Sequence, residues 1–429
     1  MKRKLGVLAA LTAGALVLTG CSSSGSNRSG GDTNAAEQTG TLRVLVANFP
    51  SNDQGTKTFA AIVDVFHKTY PKVKVESDFA PYDGMNQKIS TSLAGGSPYD
   101  VISAGIGWVQ PMADLGAIQS LTKLGVTKQS VEDSTNPAFV PPMLYKNDVY
   151  ALPVIANPRV LAYSKSAFTK AGLDPTKPPQ SLTELREYAK KLTIRDAGGR
   201  ITQTGFDFWA PPSNYRQQFV AFMGALGGRE FDGETPVFDS PAGVDALTTI
   251  RDMVSVDKSS TYGYQNSAQS ALVTAGEAAM GFASPNVDCS SAGIGDRCKD
   301  LVYFTLKDKQ EVQYVGGRTA SVGGRTKLPQ AALALAKAFT DPQVQVAVSK
   351  IDRGVPIGKD AGESECVKSN PASTIAWKDL DKGVFEFGGP TYLDFRAKFG
   401  PALDQVILGK AEPKKTLDDL KQVALSGGR

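Results

Sequence analysis

Apolar and polar residues alternate along the chain with two periods, and together they predict strands interleaved with helices. Leu42 to Ala47 is a run of Leu and Val that reads as a first strand. Phe59, Ile62, Val63 and Phe66 then fall at helical spacing, and Tyr70-Pro71 ends that helix. Val73 and Val75 alternate with Lys74 and Glu76, the pattern of a half-buried strand. A second helix is predicted around Met85 to Leu93, stopped by Gly95-Gly96, before a strand at Asp100-Val101-Ile102. This order predicts a βαβαβ unit and an open, mostly parallel sheet.

Further along, Val149 to Tyr163 favours extended backbone and is interrupted by Pro153 and Pro158. Ser181 and Glu184 make a capping box ahead of Leu182, Leu185, Tyr188, Ala189 and Leu192. Ser240-Pro241 opens another helix, with Val244, Leu247, Ile250 and Met253 on one face. Ala331 to Phe339, Val344 to Val348 and Leu417 to Ala424 are further helices. No internal repeat is present, and the class is α/β throughout.

Composition narrows the function. The chain of 429 residues is 41% hydrophobic and 21% charged, which is globular, and its length predicts two domains. Lys2, Arg3 and Lys4 precede the apolar run Leu5 to Leu18, too short to span a membrane. Leu18-Thr19-Gly20-Cys21 resembles a bacterial lipobox, which implies removal of residues 1–20 and lipidation of Cys21. Two or more acyl chains there would anchor the protein stably. Residues 21–40, rich in Ser, Gly and Asn, read as a flexible tether. Of 47 Lys and Arg, the three in the signal are expected to be lost, so 44 face 43 acids. That balance gives no electrostatic case for nucleic-acid binding.

Catalytic and metal motifs are mostly missing. One histidine, His67, in the whole chain argues against histidine-based catalysis and HExxH centres, and it reads as a solvent-facing helix residue. G-x-S-x-G, the Walker loop and CxxC are absent; Gln110 breaks the glycine pattern begun by Gly105 and Gly107. Ser120 and Lys123 match S-x-x-K without its partner motifs. Cys289 and Cys298, nine apart in a loop of an exported chain, predict a disulfide worth roughly 2–3 kcal/mol. Cys366 is left as a buried thiol or an unpaired loop cysteine. No cofactor and no metal are expected, and carboxylate pairs such as Asp418 with Asp419 leave a secreted wall hydrolase as the competing enzymatic reading.

Several blocks carry a resemblance. They are VFHKTYPKVKVES (65–77), YDVISAGIGWVQPMADLGAIQSL (99–121), YALPVIANPRVLAYSKSAFTKAGLDP (150–175), AGEAAMGF (275–282), GGRTASVGGRTK (316–327) and ILGKAEPKKTLDDL (407–420). Together they resemble the family-1 extracellular solute-binding proteins of ABC importers, over about residues 41–425. The resemblance implies a type II periplasmic-binding-protein-like fold: two α/β lobes with a hinged cleft between them. The lobes are expected at 41–152 plus 314–351 and at 153–313 plus 352–429, with crossings near Leu152-Pro153, Val312 to Gly316 and Ile351 to Gly354. It also implies a binding protein rather than an enzyme, monomeric and lipid-anchored outside the cell membrane. It would take a small carbohydrate or polyol and serve ABC permease subunits; a glycerophosphodiester or amino sugar is the alternative ligand.

A sugar needs planar side chains for its C–H face and amide, acid or guanidinium groups for its hydroxyls. Matching the family's ligand positions implies Asn52 and Asp53, with Gln54, in the loop after the first strand, where a plain polar turn is the other reading. Trp108 reads as a stacking platform or as core, and Asn157 lies at the first crossing. Trp209, Tyr215 and Arg216, then Asn286, are expected from the second lobe. Gly317 and Arg318 at the second crossing, and Tyr392 and Phe395 before the last helices, complete the set. Packing or a solvated surface is the competing reading for each. Arg216 and Arg318 keep a phosphate or carboxylate open as a ligand group.

Overall fold

The computed structural model describes residues 35–50, 52–263, 271–289, 294–386 and 392–426. The signal peptide and Cys21 lie outside the described residues. The opening unit is as expected. Strand β1 (Gly40–Ala47) leads to helix α1 (Asp53–His67), then β2 (Val73–Ala80), α2 (Tyr82–Ala94) and β3 (Val101–Gly105). β1 pairs in parallel with β2 on one edge and β3 on the other. Leu42, Val44 and Val46 of β1 join one core with Phe59, Ile62 and Phe66, while Leu45 and Ala47 join the other with Ile102 and Met85. A strand covered on both faces is what a parallel sheet requires.

His67 departs from the sequence expectation. It is half-buried, and its Nε2 lies 2.9 Å from the Val73 carbonyl, tying the end of α1 to the start of β2.

The segment with two prolines is one strand, β4 (Leu152–Ser164). After it come α3 (Leu182–Leu192), β5 (Ile201–Asp207), α4 (Arg216–Ala225) and α5 (Pro241–Arg251). Next are β6 (Ala278–Ala283), β7 (Leu301–Phe304) and β8 (Glu311–Val322), then α6 (Pro329–Ala338) and α7 (Pro342–Asp352). A short strand β9 (Val355–Pro356), α8 (Pro371–Lys378), β10 (Gly383–Phe385), α9 (Tyr392–Ile407) and α10 (Pro413–Leu425) follow, with shorter helices and strands between these elements. The Ser181 cap is half of the expected box. Ser181 Oγ accepts from Glu184 N, but Glu184 Oε2 accepts from Gln180 N at 2.7 Å instead of from Ser181.

The sheet runs β2-β1-β3-β8-β4-β6-β5, so β4 and β8 join its two halves. They pair antiparallel from Tyr314↔Arg159 to Ala320↔Leu152. The C-terminal part of β8 also pairs with β3, while the C-terminal part of β4 pairs with β6 and β7. Pro153 falls at the register shift beside Thr319, where its missing N–H does least harm to the ladder. Gly317 faces Ala156, and a Cβ there would lie 2.4 Å from the Ile155 carbonyl, so only glycine lets the strands approach this closely.

Candidate functional site

A cavity of about 870 Å³ opens where the carboxyl ends of β5 and β6 meet the end of α7. Trp209 stands two residues after β5, Ser284 and Asn286 follow β6, and Ser349, Lys350 and Arg353 come from α7 and its exit. Segment Cys366 to Ser373 closes another side. Three polar side chains hold these walls together. Ser284 Oγ donates to the Arg353 carbonyl at 2.9 Å, Asn286 Nδ2 to the Ser349 carbonyl at 3.4 Å, and Asn157 Nδ2 to the Asp352 carbonyl at 2.7 Å.

Trp209 is held in a left-handed conformation, with φ of 46°. Its N–H donates to Asp207 Oδ1 at 2.8 Å, and the second oxygen of that carboxylate accepts from Leu272 N at 2.7 Å. Burial pushes the Asp207 carboxyl up to about 6, because desolvation outweighs the two N–H donors. The Arg159 guanidinium lies 4.5 Å from the centre of the Trp209 ring, and its Nε donates to Gln217. The result is an indole fixed by its backbone, with a guanidinium over one face.

The two arginines expected to reach a ligand are engaged inside the protein. Arg318 is 1% exposed and donates from Nε and Nη2 to the two oxygens of Asp352, at 2.6 and 2.8 Å, and from Nη1 to the Ala47 carbonyl. Burial opposes its charge, yet the Asp352 carboxylate outweighs burial and holds the guanidinium more firmly protonated than usual. Arg216 is buried against Glu386 and the Tyr392 hydroxyl, with Glu230 Oε1 at 4.0 Å. Desolvation lifts Glu230 above the usual carboxylate range, whereas Arg216 overcomes burial at Glu386 and holds it below.

The remaining expected residues scatter. Asn52 is exposed and caps α1, accepting from Gly55 N at 3.0 Å. Asp53 opens α1 and lines a separate surface depression with Lys57 and Lys350. Trp108 is buried 6.1 Å from Tyr82, with Arg396 over its ring, and its Nε1–H has no partner among the described residues. Tyr215 stacks on Tyr262 and Phe395 on Phe238, with Phe399 tilted at 58° to Phe395; Tyr215 and Phe395 are fully buried in the core, as is Tyr392. Of the expected set, the cavity therefore gathers Trp209 and Asn286, with Asn157 behind its wall.

Sequence reasoning missed Ser284, Lys350 and Arg353. Arg353 lay inside the stretch expected as the third crossing, a signal of position but not of role. The Cys289–Cys298 disulfide is present, and Cys289 lines the cavity. Cys366 is free and half-buried on the same cavity, its Sγ 3.1 Å from Ser364 Oγ.

Comparison with known proteins agrees with this geometry. The family model for bacterial extracellular solute-binding proteins matches residues 51–346. The matches to the first curated relatives, putative binding proteins of Brucella, span only 36% of those proteins' length, at 25% identity. The diacetylchitobiose binding protein DasA of Streptomyces coelicolor is 25% identical over 88% of this chain and 86% of its own. Among solved structures, an ABC substrate-binding protein from Listeria monocytogenes in complex with cycloalternan superposes with a TM-score of 0.72 at 17% identity, covering 91% of this chain and 99% of its own. UgpB from Mycobacterium tuberculosis in complex with glycerophosphocholine gives 0.72 at 20% identity, covering 89% of this chain and 98% of its own. The fold is thus periplasmic-binding-protein-like, and by the extent of the family match the chain belongs to the bacterial extracellular solute-binding protein family.

Proposed function

We propose that this protein is the solute receptor of an ABC importer, capturing a carbohydrate or related polyol and releasing it unchanged. The observation that carries the reading is the cavity itself, with a backbone-fixed indole on one side and amide and hydroxyl groups around its edge. An indole face suits the C–H surface of a sugar ring, and its polar rim suits hydroxyls. DasA, a diacetylchitobiose binding protein, aligns over most of the chain and supports the sugar class.

The lobes are 41–152 plus 314–351 and 153–313 plus 352–429, hinged on β4 and β8, with Asn157, Arg318 and Asp352 beside the hinge. Capture closes the lobes on the solute, and the closed form engages the permease. Cys21 carries the lipid anchor, so a monomeric receptor works outside the membrane on the tether of residues 21–40. Trp108, whose buried N–H is unspent, contributes a second aromatic wall once the lobes close.

Thermal unfolding of ligand-stripped protein against a panel of mono- and oligosaccharides tests this. A true ligand raises the melting temperature with concentration, by about 2.7 kcal/mol of stabilisation at a hundred times Kd. A flat response to every sugar and polyol phosphate, with product appearing on incubation, would instead favour the hydrolase.

A further inference from the structure

The side chains on the cavity wall have largely spent their hydrogen-bond donors on the protein. Ser284 and Ser373 donate to backbone carbonyls, and Asn370 both donates to Val287 O and accepts from Ala372 N. Arg216 and Arg318 are neutralised by Glu386 and Asp352. Two cations on the lining, Lys350 and Arg353, have no ion pair among the described residues, and the one acid on it, Asp288, already has a partner. The internal stretches 264–270, 290–293 and 387–391 contain no Asp, Glu, Lys or Arg, so they bring no charge to this balance.

The backbone adds an independent observation. Arg353 ends α7 with φ of 53°, a helix C-terminal position at which glycine is strongly favoured over any residue with a side chain. Its N–H donates to Ser349 O, and its carbonyl accepts from Ser284 Oγ across the cavity wall. A strained arginine, with glycine only one residue away at Gly354, is kept in place on the lining of this cavity. Strain of this kind accumulates at binding sites.

We infer that the solute taken by this cavity carries an anionic group, a phosphate or a carboxylate on a sugar or polyol, and that Arg353 with Lys350 reads it. This rests on the receptor reading above and narrows its ligand. An anion offers acceptors and negative charge together, which is what two uncommitted cationic donors complement, whereas a neutral sugar leaves their charge uncompensated.

Calorimetry on the full chain, stripped of ligand, tests it with matched pairs: glucose 6-phosphate against glucose, glucuronate against glucose, and sn-glycerol 3-phosphate against glycerol. Inorganic phosphate alone is a further arm. The charged member of at least one pair should bind at least tenfold more tightly, with the gap narrowing as salt is raised. R353G should narrow that gap about tenfold while leaving the melting temperature equal or higher, because glycine relieves the backbone; K350Q should narrow it less. Phosphate binding as tightly as any phosphorylated polyol would overturn the sugar or polyol part and make the free anion the cargo. Equal or tighter binding of the neutral members, unaffected by R353G, overturns the inference and leaves the receptor standing. Failure of every probe and of neutral oligosaccharides overturns both.

Discussion

Asp207 shows how one buried carboxylate serves the site at the expense of stability. It fixes Trp209 and Leu272 through their N–H groups, yet its pKa stands at about 6 against an ordinary 3.8. The folded state therefore holds this proton more tightly than the unfolded chain does. Its contribution is present below 3.8 and is lost as pH rises through 6. Two units correspond to about 3 kcal/mol. Measured by urea unfolding, wild type should lose up to that amount relative to Asp207→Asn between pH 4 and 6, with a constant difference above. A difference independent of pH would place Asp207 outside any titration. The same scale decides which ligand candidates sequence could find. Trp209 and Asn286 are legible from their place after strand ends. Arg353 is not, because a positive φ and an unspent guanidinium arise only from tertiary contacts. Nor can composition tell that Tyr215 and Phe395 pack into an aromatic core.

At the scale of elements, the opening βαβαβ unit is legible because each strand and helix carries its own period, and the dipeptides Tyr70-Pro71 and Gly95-Gly96 mark where its helices end. The joining strands are harder. β4 contains two prolines and buries nearly every residue, so it shows no alternation, and its antiparallel partner lies about 155 residues downstream, from Arg159 to Tyr314. Beside their crossing the Arg318–Asp352 pair fastens β8 to the end of α7, and no local pattern reveals it. Asp352→Ala should cost about 3–5 kcal/mol in unfolding free energy, because it strands a buried guanidinium. The paired replacement Arg318→Met with Asp352→Leu should recover most of that loss. If the single and double variants unfold alike, the pair is not what holds the crossing.

For the whole molecule, the sheet order dictates how it can move. Among the described strands, β4 and β8 alone link β3 to β6, so the proposed closing motion would bend them near Asn157 and Gly316, which face each other in the register. Beside that pivot, Asn286 reaches the Ser349 carbonyl across the proposed lobe boundary, while Asn157 and Ser284 brace the third crossing through the Asp352 and Arg353 carbonyls, each bond worth about 1 kcal/mol net. Such ties can be remade as the cavity narrows, whereas the β4–β8 ladder must survive throughout. Amide exchange and X-ray scattering should therefore move in a particular combination. With a saturating solute the radius of gyration should fall, and amides of 284–289 and 349–356 should gain protection. Those of the β4–β8 ladder should stay slow in both states. A fall in size accompanied by loss of protection along β4 would mean that the halves separate by local unfolding. An unchanged radius with protection gained only at the cavity would mean a pre-closed receptor that orders its loops around the solute.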